Sequence, residues 1–193
     1  MTSLQTHLAD IAGFLEDHGV SWALIGGLAV SARTEPRFTR DIDIAMDPSS
    51  RGGAEDLVRE LDEIDFRPVA SLEQESAGLL ATVRIASPTR EGAVIDLHFG
   101  SSGIEGEIVS DAEDLEIFQD LTIPVARTPH LIALKVLSRD DIERPQDLSD
   151  LVRLLQEADS EDRAEARKLL RTIEERGFHR GRDLLASFDA LTD

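Results

Sequence analysis

Apolar residues recur at three- and four-residue steps through Leu4, Leu8, Ile11 and Leu15, which predicts a first helix that Gly19 ends. Trp22-Ala23-Leu24-Ile25 is a short unbroken apolar run and reads as a buried strand. Gly26-Gly27 breaks it, and Leu28 to Ala32 opens a helix. A polar connection from Arg33 to Arg40 leads into Asp41-Ile42-Asp43-Ile44-Ala45-Met46, whose strict alternation marks a strand with one polar and one apolar face. Asp47-Pro48-Ser49-Ser50 is a turn, and a helical pattern then returns from Gly53 to Ile64. Strands are predicted at Gly78–Ala86 and Ala93–Phe99, joined by the turn Ser87 to Gly92 as a hairpin, and at Leu121–Ala126. After Pro129 the periodicity is helical to the end. Leu131 to Leu137 form one helix and Leu148 to Leu155 the next, followed by Glu161–Glu175 and Arg182–Leu191. The plan is α+β: a mixed sheet with flanking helices over residues 1–128, then a helical region over 129–193.

Composition narrows the function classes. Hydrophobic residues make up 41% and charged residues 31% of the 193, enough for a packed core. With aromatics at 4% and no Tyr, that core must be aliphatic. A net charge of −19 argues against a general nucleic-acid coat, though not against a local basic cleft. The absence of Cys removes disulfides, thiolate metal sites and a Cys nucleophile. No apolar run approaches the roughly 20 residues of a spanning helix, and the acidic N-terminus is unlike a signal peptide, so a cytoplasmic protein without membrane association is expected.

The chemistry concentrates in Leu24 to Val30 and Arg37 to Ile44. A strand that ends in two glycines and runs into a helix brings free N–H groups to one point and favours an anion. A P-loop spacing is missing, and a bare Gly-Gly pair is usually just a turn. Asp41 and Asp43 share a strand face, and two carboxylates so placed repel unless a cation lies between them. Asp96 sits in the apolar run Val94 to Leu97 and needs a partner of its own. Three acids beside a phosphate cradle suit two-metal phosphoryl chemistry. Taken singly, Asp41 and Asp43 also suit the solvent face of an edge strand, and Asp96 a partner for Arg84. Lys135, between Leu134 and Val136, either reaches into the cleft or snorkels at the surface. Asp147 and Asp150 share a helix face, where they orient Lys135, Arg139 or an acceptor, or favour the helix N-terminus after Pro145. His98, two residues after Asp96, suits a supporting role or a half-buried histidine. The other histidines make no metal-spacing pattern, and no serine-hydrolase elbow exists. The charged run Ser160 to Arg180 reads as a solvated amphipathic helix whose basic residues can form an acceptor-binding rim.

Gly26-Gly27, then Arg37-x-Thr39-x-Asp41-Ile42-Asp43 with Asp41 14 positions after Gly27, resembles the signature of the DNA polymerase β-like nucleotidyltransferase superfamily. The fuller pattern is similar to its AbiEii/AbiGii toxin-type branch. Leu134 to Arg139 and Arg144 to Leu151 resemble that branch's helical motifs, with Gln146 where the branch often carries Lys. The resemblance covers roughly residues 20–155. It implies transfer of a nucleoside monophosphate from an NTP to an acceptor hydroxyl, with two Mg²⁺ ions. Asp41, Asp43 and Asp96 are the implied metal ligands, and Asp41, Asp43, Asp96, Lys135 and Asp147 the implied catalytic residues. Gly26, Gly27, Arg37, Thr39 and Lys135 are implied to bind the nucleotide. The implied acceptor is a tRNA end or a protein, with a cognate antitoxin as a further partner. The alternatives are a small-molecule, aminoglycoside-type transferase and a non-catalytic binding or antitoxin-like module.

Overall fold

The computed structural model describes residues 3–47, 53–74, 79–87, 94–140 and 145–192. The chain begins with α1 (Ser3–Asp17), then β1 (Trp22–Ile25), which runs without a loop into α2 (Gly26–Arg33). β2 (Asp41–Met46) and α3 (Gly53–Leu61), extended by a 3-10 turn at Asp62–Ile64, precede β3 (Arg67–Gln74), β4 (Leu79–Ala86) and β5 (Val94–His98). α4 (Glu105–Ser110), β6 (Glu113–Phe118) and β7 (Leu121–Val125) follow. Every later element is a helix: α5 (Thr128–Ser138), α6 (Pro145–Glu157), α7 (Ser160–Glu175) and α8 (Leu184–Thr192). The predicted tips Pro48 to Ser50 and Pro88 to Gly92 lie outside the described residues.

The seven strands form one mixed sheet in the order β3-β4-β5-β2-β1-β7-β6. β2 runs parallel to β5, and β1 parallel to β7; the other neighbours are antiparallel, including the expected β4–β5 hairpin. Three elements escape the sequence pattern: β3, α4 and β6. β3 and β6 are the two edges of the sheet. Edge strands bury little and carry polar residues against aggregation, so their period-two signal is weak. β3 also holds Pro68, which an edge strand tolerates and a central one does not. α4 has only six residues, too few for a helical period to stand out.

The apolar face of the sheet packs the core. Ile42 and Ile44 of β2 and Ile95 and Leu97 of β5 are fully buried, alongside Leu8, Ile11 and Leu15 of α1. α5 is apolar nearly all round, with Leu131, Ile132, Ala133, Val136 and Leu137 buried, because α2, α6 and α7 pack on different sides of it. This placement fixes Lys135 beside the sheet.

Candidate active site

Strand register builds the centre of the site. Ile25 of β1 pairs with Asp43 of β2, Asp43 with Asp96 of β5, and Asp96 with Arg84 of β4. Paired residues share a face, so one row of side chains crosses four strands. Asp41 lies two residues before Asp43 on the same face, and His98 two after Asp96. The row forms the floor of a cavity of about 750 Å³. Gly26, Gly27, Arg37, Thr39, Asp41, Asp43, Asp96, Lys135 and Asp147 all line it, so the residues that the family resemblance implies for metal, nucleotide and catalysis reach one cleft, while Asp150 and Arg139 are not among its lining residues. Gln146 lines it too.

The two glycines have a concrete steric reason. Gly26 has φ +67°, and a Cβ there would lie 2.0 Å from Asp43 Oδ2. A Cβ on Gly27 would lie 2.6 Å from Arg37 Nη2 and 3.2 Å from Thr39 Oγ1. Close approach of the chain's own side chains therefore demands this pair, a requirement that the phosphate-cradle reading does not contain. The cradle itself is consistent with α2, whose N-cap Ile25 makes no side-chain cap bond. Gly26→Ala is expected to displace Asp43 and to cost about 1–2 kcal/mol from the left-handed backbone alone. Thermal denaturation together with a nucleotide-transfer assay reads both effects.

The acids are not equivalent. Asp43 is one-quarter exposed, with His98 Nε2 3.6 Å from its Oδ1. Burial alone would raise the Asp43 carboxyl, but His98, Lys135 and Arg84 together hold it below the ordinary range. Asp41 moves the other way: partial burial, then repulsion from Asp43 and Asp96, raises it. Asp96 is gripped by Arg84 in a two-pronged pair, Nε–Oδ1 2.8 Å and Nη2–Oδ2 2.7 Å. The Arg84 partnership weighed in the sequence is therefore real, and it coexists with a place in the cleft. The same pair pushes the Arg84 guanidinium above its ordinary value. Asp41, Asp43 and Asp96 do not form a group whose oxygens all lie within 4.8 Å of one another, and Asp96 is held by Arg84. The donor set is nonetheless all oxygen and shares one face of the sheet and one cavity, so the residues fit a hard divalent cation such as Mg²⁺.

A second network closes the cleft opposite the row. Lys135 Nζ lies 2.6 Å from Asp147 Oδ1 and 2.9 Å from Asp150 Oδ2. Ser138 Oγ donates to Asp147 Oδ2 at 3.0 Å. Arg37 grips Asp150 with Nε–Oδ1 and Nη2–Oδ2 both at 2.6 Å. The Asp150 side chain is fully buried. Burial would raise its carboxyl, yet the Arg37 and Lys135 contacts hold it below the usual range. Two cations and two anions thus tie α5, α6 and the loop before β2 into a neutral lattice. Asp150 is the centre of this network; it lies in the stretch that resembles the family's second helical motif, and its contact with Lys135 is one of the roles weighed for it from the sequence.

Other groups complete the wall. Glu105 is buried and accepts from the backbone N–H groups of Ser101, Ser102 and Gly103 at 2.7, 2.7 and 2.9 Å, which fixes that turn. His98 Nδ1 faces Ser101 Oγ at 3.1 Å. Glu105 gives no signal in the sequence because its role is to satisfy a turn that only the fold creates. Part of the basic rim expected from Ser160 to Arg180 is engaged within the protein, while Lys168 and Arg171 are exposed and Arg180 lines the cleft. Arg163 bonds Leu155 O, Arg167 pairs with Asp189, and Arg176 with Glu107 and Gly103 O.

The family described as "Nucleotidyl transferase AbiEii toxin, Type IV TA system" matches residues 12–192. No curated protein matches significantly. Among solved structures, an antigenic nucleotidyltransferase-like protein from Paracoccidioides brasiliensis is similar at 18% identity and TM-score 0.59, over 97% of this chain and 93% of that one. The lincosamide antibiotic adenylyltransferase LnuA, bound to lincomycin, is similar at 16% identity and TM-score 0.53, over 81% of this chain and all of the other. ANT(2'')-Ia in complex with adenylyl-2''-tobramycin is similar at 13% identity and TM-score 0.58, over 89% and 97% of the two chains. These likenesses carry the fold; the match over nearly the whole sequence carries the family, and on it the chain belongs to the AbiEii nucleotidyltransferase toxin family and is a nucleotidyltransferase.

Proposed function

We propose that this enzyme moves a nucleoside monophosphate from an NTP to an acceptor hydroxyl on a tRNA end or a protein, as the toxin of a toxin–antitoxin pair. The observation that carries the reading is the row Asp43–Asp96 with Asp41 beside it, facing the start of α2 across one cavity. Asp41 and Asp43 would hold two Mg²⁺ ions, with Asp96 a further ligand to one of them. When bound, such ions supply charge neutralisation of the triphosphate and Lewis acidity at the reacting phosphorus. Gly26 and Gly27 present backbone N–H groups to the phosphates. Lys135 adds positive charge to the same end, positioned by Asp147 and Asp150. Arg37, held by Asp150, keeps Thr39 against Gly27 and so shapes the nucleotide side of the cleft. Asp96 would take the proton of the attacking acceptor hydroxyl once Arg84 releases it; the acceptor oxygen bonds to the α-phosphorus as its bond to the β-phosphate breaks, and pyrophosphate leaves. Residues 1–128 would carry this chemistry and the helical region 129–193 would supply Lys135 and Asp147. The described residues include no helix long and apolar enough to cross a membrane, which suits the cytoplasmic setting proposed for this reaction.

A small-molecule acceptor is the second reading. The cavity volume suits a drug-sized ligand. The chain's −19 charge favours a cationic acceptor over a polyanion. LnuA and ANT(2'')-Ia share the fold.

Incubation with α-labelled NTPs, Mg²⁺ and a cell extract separates the readings. Label in a tRNA or protein band supports the first. Label found only on an added aminoglycoside or lincosamide moves the assignment to the second. No label on any acceptor overturns both.

A further inference from the structure

The other cluster of ligand-type side chains lies away from the cleft. Asp111 follows α4, His130 sits in the first turn of α5, and Glu165 lies on α7. One ligand atom from each falls within 4.8 Å of the other two. His130 is fully buried, and neither of its ring nitrogens has a hydrogen-bond partner among the described residues. A buried imidazole with both nitrogens unsatisfied is an uncommon and costly arrangement. Its Nε2 points to Asp111 Oδ2 at 3.6 Å. That gap is too long for a hydrogen bond and close to the separation of about 3.4 Å between two ligands on a tetrahedral ion.

We propose that Asp111, His130 and Glu165 form a second cation site, for one divalent transition ion of the Zn²⁺ class, that ties α5 and α7 to the segment between α4 and β6. One imidazole and two carboxylates suit such an ion, with water in the fourth position, whereas Mg²⁺ prefers oxygen alone. A neutral imidazole offers a ring lone pair to such an ion, and neither ring nitrogen of His130 is engaged by a hydrogen bond among the described residues. Arg127 now balances Glu165 at 3.2 Å, and Glu113 stands 3.6 Å from its Nε to take it over when a metal arrives. The ion joins the segment after α4, α5 and α7. α5 carries Lys135 into the cleft five residues beyond His130, so the tie also fixes the register of that lysine. The site does not depend on the nucleotidyl-transfer reading.

The test uses the full chain stripped with EDTA and titrated with Zn²⁺ alone, then with Co²⁺ as a spectroscopic probe. One equivalent is expected to bind and to raise Tm by about 5–10 °C at a hundredfold excess over Kd. The shift should persist in Asp41→Asn/Asp43→Asn and disappear in Asp111→Asn/Glu165→Gln. Asp111→Asn alone, at a side chain too exposed to matter for folding, should weaken Co²⁺ binding at least about tenfold. The proposal is overturned if Zn²⁺ leaves the wild-type Tm unchanged. It is equally overturned if Asp111→Asn binds Co²⁺ like wild type, or if Asp41→Asn/Asp43→Asn removes the effect.

Discussion

Asp41→Asn combined with Asp43→Asn is expected to lower Mg²⁺-dependent incorporation of labelled nucleotide by at least about 10³-fold while leaving the circular dichroism spectrum intact. The two residues are the only pair on β2 that faces the cleft, and Ile42 and Ile44 between and beyond them are fully buried. Asn keeps the size and removes the charge, so the fold has no reason to fail. Folding stability should change little. The double change relieves the repulsion from Asp43 and Asp96 that adds to burial in raising Asp41, and it gives up the attraction of His98, Lys135 and Arg84 for Asp43. Loss of activity with retained stability is the signature of a functional rather than structural acid pair. Transfer at the wild-type rate in the double variant would sink the site assignment.

Asp150→Ala is expected to have the largest effect on stability. Its carboxylate is fully buried and pairs with both Arg37 and Lys135. Truncation leaves the Arg37 guanidinium without its two-pronged partner and Lys135 with Asp147 alone, and removal of one partner from such a buried network costs about 3–5 kcal/mol. Chemical denaturation measures the loss, and an unchanged midpoint would show that the network contributes nothing. The pH dependence has a definite sign. The folded Asp150 carboxyl lies below its unfolded value of about 3.9, so its stabilisation is complete above that pH and is lost as pH falls through the folded value. Asp150→Asn should therefore flatten the acid limb of the stability curve below about pH 4. Activity should fall as well, because the same carboxylate holds Lys135 and, through Arg37, the loop that carries Thr39.

The central strands were legible because they are short, apolar or strictly alternating, and bounded by glycine or turn residues. β1 and β2 match their predicted spans, since burial on one or both faces leaves a strong pattern. β3 and β6 lie at the sheet edges, where water replaces a neighbour and the pattern dissolves. The candidate site was legible as a set of residue types. Asp41 and Asp43 declare their shared face by spacing alone.

What the linear chain determined was local: the alternation of β2, the glycine break before α2, the helical run after Pro129 and the residues able to carry charge chemistry. What the tertiary structure decided was adjacency. β2 and β5 are separated by two other strands in sequence yet pair in parallel, and that register alone sets Asp96 beside Asp43 and Arg84 beside Asp96. Helix packing likewise brings Asp150 to Arg37, and Glu165 to His130 and Asp111. Periodicity reports how one segment divides itself between core and solvent. It carries no information about which distant segment lies alongside, because pairing is fixed by the combined burial of all elements at once.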